Sequence, residues 1–221
     1  MKEKVKILNL YACLGGNRYK WDEVTDIEVT AVELDPELAR MYQERFSNDA
    51  VIVADAHQYL LDHYKEFDII WSSPPCPSHS RARYCRSSNY DTTMDAVYPD
   101  MKLYQEILFL QHYFHGKYIV ENVIPYYKPM ILAKKRDRHL YWTNFNLPTK
   151  ISARHFNGMS QTGGELKKLE DFHDIDLSTY NGEQSKIKIA RNLVDYEAGK
   201  TILETALNII SDSNNTQQKL F

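Results

Sequence analysis

The sequence contains only three cysteines, at positions 13, 76 and 85. Three irregularly spaced cysteines cannot form a disulfide scaffold or a four-ligand zinc site, so we expect a reducing compartment and no bound metal. No apolar run approaches the roughly 20 residues that a membrane-spanning helix needs. The charged first six residues lead directly into an apolar segment, without the apolar region of a signal peptide. Cytoplasmic localisation is therefore the prediction.

An excess of positive charge is also absent, since 27 lysine and arginine residues stand against 30 aspartate and glutamate residues. With a net charge of −3, any affinity for nucleic acid must come from local patches. Two basic patches are present, one at Arg81, Arg83 and Arg86 and one at residues 134–138. At 221 residues, 43% of them hydrophobic and 26% charged, the chain suits one globular domain, and we expect a monomer.

Short apolar runs alternate with stretches of helical periodicity. The predicted strands cover residues 5–10, 27–33, 50–54, 67–71 and 118–121. The predicted helices cover residues 37–46, 56–64, 99–114 and 194–210. Strand alternating with helix is typical of an α/β fold with a doubly wound, mainly parallel sheet. Ligands of such sheets bind at the carboxyl ends of the strands, so the loops after the strands are where chemistry is expected.

The pattern changes after residues 1–145, which we predict to form a catalytic, cofactor-binding domain. Residues 146–189 are polar, contain four glycines and lack a long apolar period, which predicts a loop-rich insertion. Residues 190–210 return to a helical period and are expected to complete the domain. Residues 211–221 form a polar tail that has little to bury, so we predict disorder there.

The first three strand ends carry groups that suit a nucleotide-like cofactor. Gly15 and Gly16 follow the first strand and let backbone amides approach a ligand closely, although paired glycines also mark tight turns. Glu33 ends the second strand, where Rossmann-like folds hold ribose hydroxyls, and we assign helix N-terminal charge to Asp35 instead. Asp55 ends the third strand and either contacts an adenine amino group or caps the next helix.

The next two strand ends carry a thiol and an acid. Cys76 follows Pro74 and Pro75, which fix a stiff turn that faces the cofactor loop. A free cysteine is ordinarily a small buried hydrophobe. This loop position favours a nucleophile instead, because a thiol adds readily to an electron-poor ring carbon. Glu121 ends the fifth strand, where a buried acid needs a partner and could share a proton with a heteroaromatic ring.

In this order and placement, these elements resemble the C5-cytosine DNA methyltransferases. The resemblance covers almost the whole chain apart from residues 146–189 and the tail, and it implies a Rossmann-like S-adenosylmethionine-dependent methyltransferase fold. The residues that it assigns to S-adenosylmethionine are Tyr11, Ala12, Gly15, Gly16, Glu33, Leu34, Asp55, Ala56, Pro75, Asn192 and Val194. It makes Cys76 the nucleophile and Glu121 the proton-sharing acid.

The resemblance further implies that the target cytosine is rotated out of double-stranded DNA and methylated at carbon 5. Arg136 and Arg138 would hold the base carbonyl and a neighbouring phosphate and could lower the pKa of the thiol, unless they form a solvated basic turn. The loop after the nucleophile is expected to close over the base and contact phosphate, unless it is merely a disordered basic loop. Its DNA-binding residues would be Ser80, Arg81, Arg83 and Arg86.

Three positions depart from the family pattern. Cys13 replaces the usual first glycine, which predicts a less close approach of the backbone to the cofactor. Pro77 replaces a glutamine and His79 replaces an aromatic residue, which bears on sequence preference more than on catalysis. The region that reads DNA sequence is unusually short, with Arg154 and Gln184 among its candidates. Since each bidentate contact discriminates by about 1–3 kcal/mol, we predict a recognition site of about two to four base pairs or low specificity.

Two other functions stay open. A transfer-RNA branch shares these motifs, so RNA cytosine methylation keeps the chemistry and changes the substrate. A non-catalytic partner module would keep only the fold, although the presence of Cys76 and Glu121 argues against it.

The last five residues resemble the short peptides that bind bacterial sliding clamps. Leu220 and Phe221 end an otherwise polar tail, and an exposed apolar pair suits docking into a pocket of a partner. We therefore predict a clamp contact through Gln217, Leu220 and Phe221. The alternative is that the two apolar residues fold back onto the domain.

Overall fold

The computed structural model describes residues 3–81, 97–156 and 164–209. Its seven strands are β1 (Val5–Leu10), β2 (Ile27–Glu33), β3 (Ala50–Val53), β4 (Ile69–Ser72), β5 (Lys117–Val123), β6 (Lys134–Arg136) and β7 (His139–Thr143). The helices of the described part are α1 (Pro36–Arg45), α2 (Ala56–His63), α3 (Lys102–Tyr113), α4 (Glu165–His173), α5 (Lys186–Asn192) and α6 (Tyr196–Ala206).

The strands form one sheet in the order β3-β2-β1-β4-β5-β7-β6. Strands β1 to β5 pair in parallel, whereas β7 runs antiparallel to both β5 and β6. The chain order therefore proceeds in opposite directions from β1 and β4, which opens a crevice at their carboxyl ends. This topology confirms the predicted α/β fold with a doubly wound, mainly parallel sheet.

Neighbouring residues of the central strands pack on opposite faces of the sheet. Leu8 and Ile70 belong to a core that includes residues of α2 and α3. Ile7 and Ile69 belong to a second core that includes residues of α6. Helices thus cover both faces, which is why these strands read as continuous apolar runs. Burying each of these side chains contributes roughly 1.5–3 kcal/mol relative to leaving it exposed.

The five predicted strands and the four predicted helices are all present. One helix, α3, begins at Lys102 rather than at the predicted residue 99. The backbone N–H of Asp100 donates to Ser78 Oγ at 2.9 Å, which ties the chain before α3 to the loop of residues 73–81, called the Cys76 loop below. That tertiary contact holds the preceding residues out of the helix.

Residues 146–189, predicted to be loop-rich, also contain two short helical segments, α4 and the first four residues of α5. The two helices have nine and seven residues, so neither is long enough to display a clear apolar period. Their apolar residues join Leu38 and Met41 of α1 in a third core. The expected boundary between residues 189 and 190 falls inside α5.

Several predicted functional residues lie outside the described ranges. They are Arg83 and Arg86 of the first basic patch, and Gln217, Leu220 and Phe221 of the tail. Within the residues that the structure does describe, no helix is long and apolar enough to cross a membrane.

Helix α6 packs closely against the loop that follows β1. Asp195 caps this helix by accepting hydrogen bonds from the backbone N–H groups of Glu197 and Ala198. The backbone of Gly199 meets that of Asn17, and a Cβ at this glycine would lie 2.1 Å from the Asn17 carbonyl oxygen. Trp21 Nε1 donates to the Gly199 carbonyl at 3.3 Å. The last helix therefore supports the loop of Gly15 and Gly16 directly.

This contact predicts that Gly199→Ala destabilises the protein, although alanine is the better helix former. The gain in helix propensity is about 1 kcal/mol, whereas overpacking two backbone segments costs about 1–3 kcal/mol. Because the clash at Gly199 is with backbone, its cost should lie in the upper half of that range, and we expect the free energy of unfolding, measured by urea denaturation, to fall by about 1–2 kcal/mol. Glu204→Ala on the same helix is the control and should change it by less than about 0.5 kcal/mol. Equal stability of Gly199→Ala and the unmodified chain would contradict the close backbone contact.

Candidate active site

A cavity of about 950 Å³ opens at the carboxyl ends of the parallel strands. It brings together most of the predicted cofactor and catalytic residues, which come from five strand ends, from the last residue of α5 and from the segment between α5 and α6. Those that line it are Tyr11, Glu33, Leu34, Asp55, Ala56, Pro75, Cys76, Glu121, Asn192 and Val194. Segments more than 180 residues apart in sequence thus share one wall.

The loop after β1, residues 11–17, is called the glycine loop below and borders the cavity. Ala12 and Gly16 line a small hollow that they share with Asn192 and Val194. A Cβ at Gly16 would lie 2.5 Å from the Val194 carbonyl oxygen. Gly15 has φ +66°, and a Cβ there would lie 2.5 Å from the ring of Phe46. Both glycines are therefore required by close packing, and the first is also required by its left-handed backbone.

Cys13, at the position where the family pattern has its first glycine, adopts a left-handed backbone conformation. Its φ is +48°, and that of Tyr11 in the same loop is +57°. A left-handed conformation costs a residue other than glycine roughly 1–2 kcal/mol. The backbone N–H of Cys13 donates to Glu33 Oε2 at 2.8 Å, which helps to offset that cost.

Glu33 is held at the cavity wall by backbone donors. Besides Cys13, the backbone N–H of Asp35 donates to its carboxylate at 3.0 Å. Burial raises the pKa of Glu33, and these hydrogen bonds partly oppose that effect. A carboxylate fixed in this way is suited to accept hydrogen bonds from ligand hydroxyls.

Two aspartates at the cavity cap helices. Asp35 accepts from the backbone N–H groups of Glu37 and Leu38 at the start of α1, as predicted. Asp55 caps α2 through the backbone N–H of Gln58 at 3.0 Å, and this bond lowers the pKa of its carboxyl group. Asp55 also lies at the cavity wall, so capping and ligand contact are compatible.

A segment of the expected DNA-reading region lies along the cofactor end of the cavity. The Tyr180 hydroxyl and the Gln184 amide donate to Asp35 Oδ2 at 2.9 and 3.0 Å. Arg154 pairs with Asp195 at 2.9 Å, and its guanidinium lies 3.6 Å from the centre of the Tyr196 ring. Two candidate base-reading side chains are therefore bound within the protein.

The Cys76 loop is tied to the end of β5. The Asn122 amide donates to the Pro74 carbonyl at 2.9 Å, so the residue beside Glu121 positions the turn that carries Cys76. Both Cys76 and Glu121 line the cavity, and Glu121 is buried. Burial and the nearby Glu121 carboxylate raise the pKa of the Cys76 thiol. The expectation that arginines lower this pKa is therefore wrong for this state of the chain.

The rest of the described loop also packs against the segment after β5. Ser80 forms a β-bridge with Pro125, and Arg81 Nε donates to the Pro125 carbonyl at 3.1 Å. His79 is buried, and its Nδ1 lies 2.6 Å from the hydroxyl of Tyr127. This part of the basic loop is thus anchored to the protein.

The second basic patch lies elsewhere. Arg136 ends β6, and its guanidinium donates to the backbone carbonyls of Lys135, Leu147 and Pro148. Arg138 lies in the turn between β6 and β7. Neither arginine, although both are within the described ranges, lines the cavity beside Cys76.

A histidine that the sequence analysis did not single out does line the cavity. His139 begins β7, and its Nε2 lies 3.6 Å from Glu121 Oε1. His139 pairs with Val123 across β5 and β7, and this register brings His139 close to Glu121, which lies two residues earlier on β5. In the sequence, His139 is marked only by its position directly after Arg138. That position does not reveal the contact between His139 and Glu121.

A comparison with protein-family models matches residues 5–123 to the C-5 cytosine-specific DNA methylase family. The matched residues span more than half of the chain and include the glycine loop, Glu33, Asp55, Cys76 and Glu121. No curated protein matches the sequence.

Similar solved structures include a mutant of Spodoptera frugiperda DNMT2, with 25% identity, 54% of this chain and 36% of that chain covered, and a TM-score of 0.39. The Entamoeba histolytica methyltransferase EhMeth has 8% identity, 94% and 99% coverage, and a TM-score of 0.49. A SAM-dependent methyltransferase from Agrobacterium tumefaciens has 15% identity, 57% and 41% coverage, and a TM-score of 0.40. The alignment therefore spans little more than a third of the DNMT2 chain.

The family model carries the assignment, because it matches more than half of the chain in sequence. With its Rossmann-like methyltransferase fold and S-adenosylmethionine as its cofactor, this chain belongs to the C-5 cytosine-specific DNA methylase family.

Proposed function

We propose that this chain transfers a methyl group from S-adenosylmethionine to carbon 5 of a cytosine rotated out of double-stranded DNA, with Cys76 as the covalent nucleophile. The observation that carries the proposal is the single cavity whose wall holds Cys76 and Glu121 together with Glu33 and Asp55. The thiol and the buried acid serve the base, and the two strand-end acids serve the cofactor.

The residues of the cavity fit S-adenosylmethionine. Gly15 and Gly16 pack against Phe46 and Val194 with no room for a Cβ, and this packing holds the loop that carries Tyr11 at the cavity wall. Glu33 would accept hydrogen bonds from the ribose hydroxyls. Asp55 would accept one from the adenine amino group, because a carboxylate has about four acceptor sites and the bonds from Gln58 and Lys102 leave others free. When bound, the cofactor supplies the methyl group.

Cys76 and Glu121 act on different atoms of the base. The Cys76 thiol gives up its proton to solvent, and its sulfur adds to C6 while Glu121 shares a proton with N3. C5 thereby becomes electron-rich and takes the methyl group, whose bond to the donor breaks and leaves S-adenosylhomocysteine. Loss of the C5 proton to solvent and cleavage of the bond between sulfur and C6 then release Cys76 as a thiolate, which takes up a proton again. Asn122 supports this arrangement, because its bond to Pro74 sets the position of the thiol relative to Glu121.

Contacts with the nucleic acid backbone are assigned to the Cys76 loop and the second basic patch. Ser80 and Arg81, followed by Arg83 and Arg86, would approach phosphate groups beside the rotated base. Arg136 and Arg138 would hold the base carbonyl and a neighbouring phosphate. For Arg136 this requires its guanidinium to leave the carbonyls of Leu147 and Pro148.

The role of Cys76 predicts that Cys76→Ser abolishes turnover and leaves cofactor binding intact. A serine hydroxyl is a far weaker nucleophile at neutral pH, so we expect the rate of methyl transfer to fall roughly a thousandfold or more. Calorimetry should find the affinity for S-adenosylmethionine within a few fold of the unmodified chain, since the substitution leaves Pro75 in place and the other cofactor residues lie outside the Cys76 loop. Turnover comparable to that of the unmodified chain would remove Cys76 from the nucleophile role.

The choice of DNA as substrate predicts a covalent adduct with duplex DNA that carries 5-fluorocytosine. Fluorine cannot leave C5 as a proton does, so the bond between Cys76 and C6 persists and retards the chain in a denaturing gel. Cys76→Ser is the control and should form no adduct. Tritium transfer to transfer RNA, with none to duplex DNA, would replace DNA by RNA as the substrate. Absence of any adduct or transfer would favour a non-catalytic partner module.

We further propose that the last five residues tether the chain to a sliding clamp. An acidic protein with few base-reading side chains holds DNA weakly, and a tether raises its effective concentration on duplex without new DNA contacts. The intact chain should therefore bind a purified bacterial clamp, and a Leu220→Ala, Phe221→Ala variant should not. Lys219→Ala is the matched control and should bind normally. Equal binding by the double variant, or none by the intact chain at tens of micromolar, would contradict the tether.

A further inference from the structure

Glu106 of α3 is a fully buried carboxylate beneath the cavity. It joins three separate segments of the chain through hydrogen bonds. The Tyr11 hydroxyl donates to its Oε1 at 2.5 Å, and Ser72 Oγ donates to its Oε2 at 2.6 Å. His57 Nδ1 lies 3.0 Å from Oε1 and donates in the tautomer that carries the proton on that nitrogen.

These bonds offset the cost of burying the charge. An isolated buried carboxylate is strongly unfavourable, and hydrogen bonds to a charged acceptor are about twice as strong as neutral ones. Burial and the charge of Glu106 raise the pKa of the Tyr11 phenol well above its ordinary range, so Tyr11 keeps its proton and remains a donor. The carboxylate and the hydroxyl therefore hold each other in place.

The three segments are those that border the cofactor end of the cavity. Tyr11 begins the glycine loop and lines the cavity. His57 follows Asp55 and Ala56, which also line it. Ser72 ends β4, immediately before the Cys76 loop. One carboxylate thus fixes the distances among the glycine loop, the start of α2 and the loop that carries the nucleophile.

The backbone conformation of Tyr11 requires support from other parts of the chain. Its φ of +57° is unfavourable for a residue other than glycine and persists only where surrounding contacts determine it. The hydroxyl at the far end of the side chain has Glu106 as its partner, 95 residues away in sequence. The hydrogen bond opposes rotation of the side chain and relaxation of the loop.

We propose that Glu106 is a positioning residue, which holds the Tyr11 side chain and the start of α2 in the geometry that receives S-adenosylmethionine. Glu106 touches neither the cofactor nor the base and acts through Tyr11 and His57. The inference rests on the cofactor assignment, and binding of the cofactor alone tests it.

The hydroxyl of Tyr11 is the first target. Tyr11→Phe keeps the ring and removes the bond to Glu106, so the dissociation constant for S-adenosylmethionine, measured by calorimetry without nucleic acid, should rise about three- to tenfold. Tyr19→Phe is the matched control, because the Tyr19 hydroxyl also donates to a carboxylate, that of Asp174, away from the cavity. It should leave the dissociation constant unchanged. An unchanged constant in Tyr11→Phe would overturn the proposal.

A double-mutant cycle separates positioning from general support of the fold. Glu106→Gln keeps the shape and removes the charge, and it should weaken cofactor binding to a similar extent. If Glu106 acts through Tyr11, the double variant should bind about as well as the weaker single variant. Multiplication of the two single effects would mean independent contributions and would overturn the proposal.

Thermal unfolding of each variant accompanies the binding measurements. A loss of cofactor affinity that persists well below the unfolding temperature supports positioning. If the unmodified chain itself failed to bind S-adenosylmethionine, the cofactor assignment would fall, and this inference with it. Binding by the unmodified chain with equal affinity in the variants would overturn the inference alone.

Discussion

Parallel pairing holds β1 between β2 and β4, with Leu10 level with both Val32 and Ser72. This register places the ends of the parallel strands along one edge of the sheet, and the loops that follow them surround one cavity. A shift of one residue in any strand would turn its terminal side chain to the other face. The position of Glu33 against the backbone of Cys13, and of Asn122 against Pro74, depends on that alignment.

The sequence predicts well whatever depends on neighbours along the chain. Glu33, Asp55, Cys76 and Glu121 could be placed at one cavity because each follows a run of strand-like residues, and parallel sheets bring such positions together. Residues whose roles depend on distant partners were missed. In the sequence alone, Glu106 resembles any other polar position of α3. Its role depends on hydrogen bonds to Tyr11 and Ser72, which only the structure shows.

Basic residues illustrate a different limit. The sequence of Arg136 and Arg138 indicates positive charge but not which part of the protein the two side chains contact. The hairpin of β6 and β7 determines those contacts. In this structure the Arg136 guanidinium donates to backbone carbonyls. The residue of this hairpin that lies close to Glu121 is His139. The short helices α4 and α5 were missed for a related reason, since their apolar faces become apparent only against α1.

The state of the Cys76 thiol has a consequence for its chemical durability. Because burial and Glu121 raise its pKa, the resting thiol is almost entirely protonated at neutral pH. Peroxide and alkylating compounds react with the thiolate, so a protonated cysteine is slow to form sulfenic acid or to be capped. The carboxylate that we propose to share a proton with the base therefore also slows oxidation of the resting sulfur.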